Sequence, residues 1–177
     1  MASPDTETPG TRSAIGLALA GGGVGGALYE FGALLALDAA LEGWSPVRSD
    51  RIVGTSAGGV VGAVVALGVD PEEIRRALEP GVSHPLAFTG RDFRRTPWRE
   101  YLRSGLRRRI PPGAFSNRGL EEFVHRAARV QSRGESFADL LAPLVIPATD
   151  LDTGERVIFG AGGDVSVPVG TAIGSSA

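Results

Sequence analysis

The sequence predicts an α/β fold with parallel strands, and two stretches carry that reading. The first is an apolar run at 15–20 that enters a glycine cluster, Gly21-Gly22-Gly23-Val24-Gly25-Gly26, and then an apolar helical pattern. The second is the run Ile52-Val53, which enters Gly54-Thr55-Ser56-Ala57-Gly58 and then a helical pattern of small residues. Strand, glycine loop, helix, strand, tight turn, helix is the order of a β-α-β unit, whose crossover is expected to be right-handed. Both loops then leave the C-terminal edge of the sheet, where open α/β sheets place their sites.

Composition sets the outer limits. A chain of 177 residues, 42% hydrophobic and 21% charged, suits one globular domain with a real core. Its net charge of −2 gives no general attraction to nucleic acid, so no nucleic-acid partner is expected. With no cysteine, disulfides, thiol chemistry and cysteine-ligated zinc are excluded. All 18 basic residues are arginine, which excludes a lysine base or Schiff base. His84 and His125 are far apart and lack ligand-like spacing, so neither a metal nor a cofactor is expected.

The elements follow in order. Residues 1–13, polar and rich in Pro, Thr and acid, read as a disordered tail without the basic start of a secretory signal. The domain is expected over 14–177. Residues 14–41 are apolar enough to raise the question of a membrane span. Glu30, Asp38 and the glycines argue against one. A strand at 15–20, a loop at 21–26 and a helix at 27–41 fit better, with Glu42-Gly43 as the stop. A second strand covers 51–53. Asp70-Pro71-Glu72-Glu73 opens a short helix through Leu78, with an N-cap, Pro at the first position and acids in the first turn. Helices are expected at 117–129 and 136–141, and strands at 144–149 and 156–159 around the turn Asp152-Thr153-Gly154.

Between these lies a looser stretch with a distinct charge. Arg91, Arg94, Arg95, Arg99, Arg103, Arg107, Arg108 and Arg109 face only Asp92 and Glu100, a local charge of +6, with Phe88, Phe93, Trp98 and Tyr101 nearby. One reading of this stretch is peripheral contact with anionic membrane; the plainer one, a solvated cap in a lysine-free chain, is favoured. The expected location is cytoplasmic.

Chemistry concentrates at Ser56. A buried strand, Gly-x-Ser-x-Gly and a helix are the layout of a nucleophile elbow, which lifts one serine above a sheet edge. Small residues at Gly54, Thr55, Ala57 and Gly58 suit so sharp a turn, and the helix N-terminus favours developing negative charge. The plainer alternative is an ordinary strand-to-helix turn. The cluster Gly21–Gly26 also satisfies G-x-G-x-x-G, a dinucleotide fingerprint. That reading needs an acid near the end of the second strand, where this chain has Gly54, Thr55 and Ser56. An oxyanion hole built from backbone N–H groups of Gly21, Gly22, Gly23, Val24, Gly25 and Gly26 fits better. A hydrolase triad needs a late histidine after an acid. His84 sits only 28 residues after Ser56 and His125 lies within a helix, so both read as structural or surface residues.

The paired loops, with the elbow about 30 residues after the glycine cluster, resemble the patatin-like phospholipases. Ser116-Asn117-Arg118-Gly119-Leu120 and Ala148-Thr149-Asp150-Leu151-Asp152-Thr153-Gly154-Glu155 agree with it, and the likeness covers about residues 15–177. The resemblance implies a three-layer α/β/α sandwich with a mostly parallel central sheet. It also implies a Ser–Asp dyad and a lipid or other acyl ester as substrate, consumed in lipid degradation. Alternatives are a non-catalytic lipid- or protein-binding relative and a nucleotide-binding α/β protein. The chain departs from the family twice: Gly25 stands where a basic residue is usual, and no Asp-Gly pair occurs. Asp150, Asp152 and Asp164 lack the family context, so none is assigned as base. The catalytic aspartate is expected beyond Ala177, which would leave these 177 residues catalytically incomplete.

Overall fold

The structure, a computed structural model, describes residues 14–87 and 118–177. The expected tail and the arginine-rich stretch lie outside the described residues. Four strands form one sheet in chain order: β1 (Gly16–Leu19), β2 (Arg51–Gly54), β3 (Leu144–Thr149) and β4 (Arg156–Gly160). β1 pairs with β2 and β2 with β3 in parallel, and β4 returns antiparallel to β3. The sheet is mostly parallel, in the α/β class that the order of elements predicts. The β3–β4 turn is set by Asp150, whose Oδ1 accepts the N–H groups of Asp152 and Thr153 at 2.8 and 3.2 Å.

Among the described residues the helices are α1 (Gly23–Ala40), α2 (Ala57–Ala66), α3 (Pro71–Ala77), α4 (Arg118–Val130) and α5 (Val169–Ser176). All ten residues of α2 are buried, and the helix lies across β1, β2 and β3. Its small residues permit this. A Cβ at Gly62 would sit 3.0 Å from Ile52 Cγ2 and 3.1 Å from Leu144 Cδ1, so the sheet side chains fill the space a larger residue would need. α1 packs along α2 and buries Ala27, Phe31 and Leu34. α4 and α5 pack on each other and on α2, with Phe123, Val124 and Ile173 inside. Asp70 caps α3 by accepting the Glu72 N–H at 2.8 Å, with Pro71 at the first position, as the sequence indicates. These helices cover the sheet face of Ile52, Leu144 and Ile146. Ala18 and Val53 on the opposite face are exposed.

Some boundaries differ from the sequence reading. α1 starts at Gly23 rather than 27, so only Ala20, Gly21 and Gly22 separate β1 from the helix. Glycines add nothing to an apolar periodicity and have low helix propensity, so the sequence pattern does not mark this first turn. The helix expected at 136–141 is a single 3-10 turn, Phe137–Asp139, closed by a capping box between Ser136 and Asp139. A second 3-10 turn, Pro46–Arg48, occupies the loop before β2.

Backbone segments approach closely where α2 leaves the elbow. A Cβ at Gly58 would overlap the Leu19 carbonyl and lie 2.8 Å from the Ala20 oxygen. At Gly25 the same atom would meet nothing within 4 Å. Gly58→Ala is therefore expected to destabilise the fold by about 1–3 kcal/mol or more, through overpacking against backbone. Gly25→Ala should leave stability nearly unchanged. Urea unfolding checks both, and equal midpoints for Gly58→Ala and the wild type would remove the close approach from the account.

Candidate active site

Ser56 occupies the N-cap of α2 with φ 53° and ψ −117°. A positive φ is uncommon for a residue with a side chain and persists only where surroundings enforce it. Here they do. On the preceding side, Thr55 N–H donates to Leu19 O at 3.2 Å, and a Cβ at Gly54 would overlap the Gly58 carbonyl oxygen. On the following side, Gly58 N–H reaches Ala20 O at 3.1 Å and Thr55 O at 2.9 Å, and Gly59 N–H reaches Ser56 O at 2.9 Å. The Ser56 N–H itself donates to Ser176 Oγ at 3.1 Å, and the Ser176 hydroxyl donates to Pro147 O at 2.6 Å.

The glycine cluster meets this turn. A Cβ on Gly21 would lie 3.5 Å from Ser56 Cβ, so the two chains pass with little between them. Gly22 is the N-cap of α1, and Gly23, Val24 and Gly25 form its first turn, where N–H groups have no partner inside the helix. Gly26 differs: its N–H donates to Gly22 O at 3.0 Å and is spent within the helix. Two helix N-termini thus meet at Ser56. Between them lies a small cleft of about 50 Å³, lined by Gly23, Val24, Ala27, Ala57, Val60 and Leu120 together with Ser56 itself. One water-sized group needs roughly 10–15 Å³ of such space, so the cleft admits a small polar head and little more. Thr55 lines a different, open groove with Pro147, Ser175 and Ser176.

No histidine or acid lines the cleft among the described residues. His84 Nδ1 accepts the Leu86 N–H at 3.2 Å in a local turn, and His125 pairs with Glu135 at the surface. Asp150 organises the β3–β4 turn and Asp152 stands exposed on it. Asp164 accepts the Ser166 N–H at 2.8 Å, and its hydrogen bonds to Ser166 hold its carboxyl below the usual range. These are structural roles. The end of β2 carries Gly54, Thr55 and Ser56, so the acid a ribose needs is not there.

Two residues went unrecognised in the sequence. Ser176 is 120 positions from Ser56, and nothing local signals the contact. Glu30 is legible only as an acid in an apolar helix. Its Oε2 is buried without a hydrogen-bond partner, and burial pushes its carboxyl above the usual carboxylate range, offset in part by the Ala20 N–H. Among the described residues no group of three or more acids and histidines is placed to hold a metal, and no helix is long and apolar enough to cross a membrane.

Comparison with known proteins gives two findings. The sequence model of the patatin-like phospholipases matches residues 17–177. Among solved structures, the type III effector protein ExoU is similar at TM-score 0.55 and 18% identity, over 92% of this chain and 40% of that one. Full-length ExoU bound to full-length SpcU, from the type III secretion system of Pseudomonas aeruginosa, gives TM-score 0.52 and 21% identity over 92% and 38%. The likeness to these structures is one of fold, and the chain spans about two fifths of their length. No curated protein matches.

The half-buried Glu30 has a consequence for stability. An acid with a raised folded pKa holds its proton more firmly folded than unfolded, so stability falls as pH rises from about 4.5 towards neutrality. Glu30→Gln keeps an oxygen for the Ala20 N–H and removes the charge. It is expected to match or exceed wild-type stability near neutral pH, with the margin shrinking below about pH 4.5. Urea midpoints on both sides of that value test this, and a margin that does not change with pH would show that no buried charge is involved.

Proposed function

Because the chain belongs to the patatin-like phospholipase family, we propose that it is a serine acyl hydrolase acting on lipid or related acyl esters, with Ser56 as nucleophile. One observation carries this reading: Ser56 is held at a strained φ of 53° on the wall of a cleft where the N-termini of α1 and α2 meet. Ser56 Oγ attacks the ester carbonyl carbon and gives its proton to a base. The tetrahedral oxyanion collapses, the alcohol leaves with a proton, and an acyl-enzyme remains. Water then attacks the acyl carbon and restores the serine. The resemblance implies an aspartate as base, and no acid among the described residues takes that place.

The donors for the oxyanion are the backbone N–H groups of Gly23 and Val24 from α1 and of Ala57 from α2. All stand in first helical turns beside Ser56. Fixed donors of this kind contribute a few kcal/mol in a site that excludes water. Ala27, Val60 and Leu120 give the cleft an apolar side that suits the first carbons of an acyl chain. In the same reading Gly21 and Gly22 bring the two turns together rather than bind the oxygen.

The experiment is ester hydrolysis with a short-chain substrate, together with labelling by a fluorophosphonate, in the full-length protein. Ser56→Ala should abolish both while the fold survives. Gly22→Val should lower turnover by roughly 10²-fold, because a Cβ there would lie 2.9 Å from Gly26 Cα and displace the first turn of α1. Turnover that survives Ser56→Ala at the wild-type rate would remove Ser56 from the reaction.

The arginine-rich stretch at 91–109 supports a second part of the proposal, contact with an anionic lipid surface. Co-sedimentation with anionic vesicles is expected to weaken with added salt and with charge reversal at Arg107, Arg108 and Arg109. Binding that ignores both would exclude this surface.

A further inference from the structure

The link between Ser56 and Ser176 has a register that explains it. In the parallel β2–β3 pair, Ile52 stands opposite Leu144 and its N–H donates to Pro143 O at 2.9 Å. Advancing four residues along both strands would put the Ser56 N–H opposite Pro147 O. That direct bond is not made, because the elbow carries the chain out of the ladder after Gly54. The Ser176 hydroxyl stands in the gap. It accepts the Ser56 N–H at 3.1 Å and donates its own proton to Pro147 O at 2.6 Å.

Proline at position 147 fits this arrangement. Leu144 O accepts from Ala161 on the β4 side, and Pro143 O from Ile52 on the β2 side. By alternation Pro147 faces the β2 edge, where it offers a carbonyl and no N–H, and beyond Gly54 the β2 chain leaves the ladder. The carbonyl on that edge still needs a donor, and Ser176 supplies it.

We propose that Ser176 is a positioning residue for the nucleophile: its hydroxyl replaces a lost ladder bond and holds the Ser56 backbone at the strained angle that aims Oγ into the cleft. The consequence for turnover rests on Ser56 being the nucleophile; the bond itself does not. Without the hydroxyl, the peptide before Ser56 loses its acceptor on the β3 side and is free to rotate towards a relaxed φ.

The test uses Ser176→Ala, Ser176→Thr and Ser175→Ala in the full-length protein. Ser175 is a neighbouring control, since its exposed hydroxyl donates only to Thr171 O at 3.0 Å. Ser176→Ala is expected to lower kcat and the rate of fluorophosphonate labelling by roughly 10- to 100-fold, as for a misplaced reacting atom. KM should change little, because Ser176 does not line the cleft beside Gly23 and Val24. Hydrogen exchange at the Ser56 amide should quicken. Ser176→Thr should restore rate and protection, and Ser175→Ala should match the wild type. A folded Ser176→Ala with wild-type kcat and wild-type Ser56 protection overturns the proposal. So does a rate loss that leaves Ser56 protection unchanged. The exchange measurement does not depend on turnover: if the wild type neither labels nor hydrolyses, the hydrolase reading fails, and exchange at Ser56 still decides whether Ser176 holds this backbone.

Discussion

Three backbone segments meet with no side chain between them: the end of β1, the end of β2 and the start of α2. Gly54 and Gly58 make the meeting possible, since a Cβ on either would overlap a carbonyl of another segment. The rest of the structure depends on this approach. It lowers α2 onto the sheet so that all of its residues are buried. α1, α4 and α5 then pack on a helix that is already the middle of the core. The same approach forces the chain to turn sharply at Ser56, so the constraint that builds the core also lifts the serine out of the sheet.

Ala20 connects this packing to the polar side of the site. Its carbonyl accepts the Gly58 N–H at 3.1 Å, and its N–H faces the Glu30 carboxylate. The short link between β1 and α1 is thereby tied to the elbow on one side and to its own helix on the other. Glu30 bears the cost of burial within the described structure. Desolvation raises its pKa, and the Ala20 N–H, which favours the charged form, acts against that.

What the sequence revealed and what it hid divide along the range of the interactions. The β-α-β order and the elbow were legible because each rests on neighbours: an apolar strand, glycines at fixed offsets, and small residues behind Ser56. The cap at Asp70 was legible for the same reason. The start of α1 was not, because Gly23 to Gly26 add no periodic apolar signal. The 136–141 stretch read as a helix, yet Ser136 and Asp139 satisfy one another within a single turn. Glu30 was visible as a charge in an apolar helix, but its contact with Ala20 depends on how the helix docks. The resemblance to patatin-like phospholipases came from the paired loops, and the family match over residues 17–177 agrees with it.

A strained residue survives only when several independent contacts hold it. At Ser56 those contacts come from distant parts of the chain. Leu19 and Ala20 at the end of β1 hold Thr55 and Gly58 on either side of it. Ser176 at the end of α5, itself anchored to Pro147 on β3, holds its N–H. The first turn of α2 holds its carbonyl. No short fragment contains all of these, so a peptide bearing the elbow alone would relax to an ordinary turn. The geometry at Ser56 is therefore a property of the assembled fold: it exists only after β1, β3 and α5 have closed around β2 and α2.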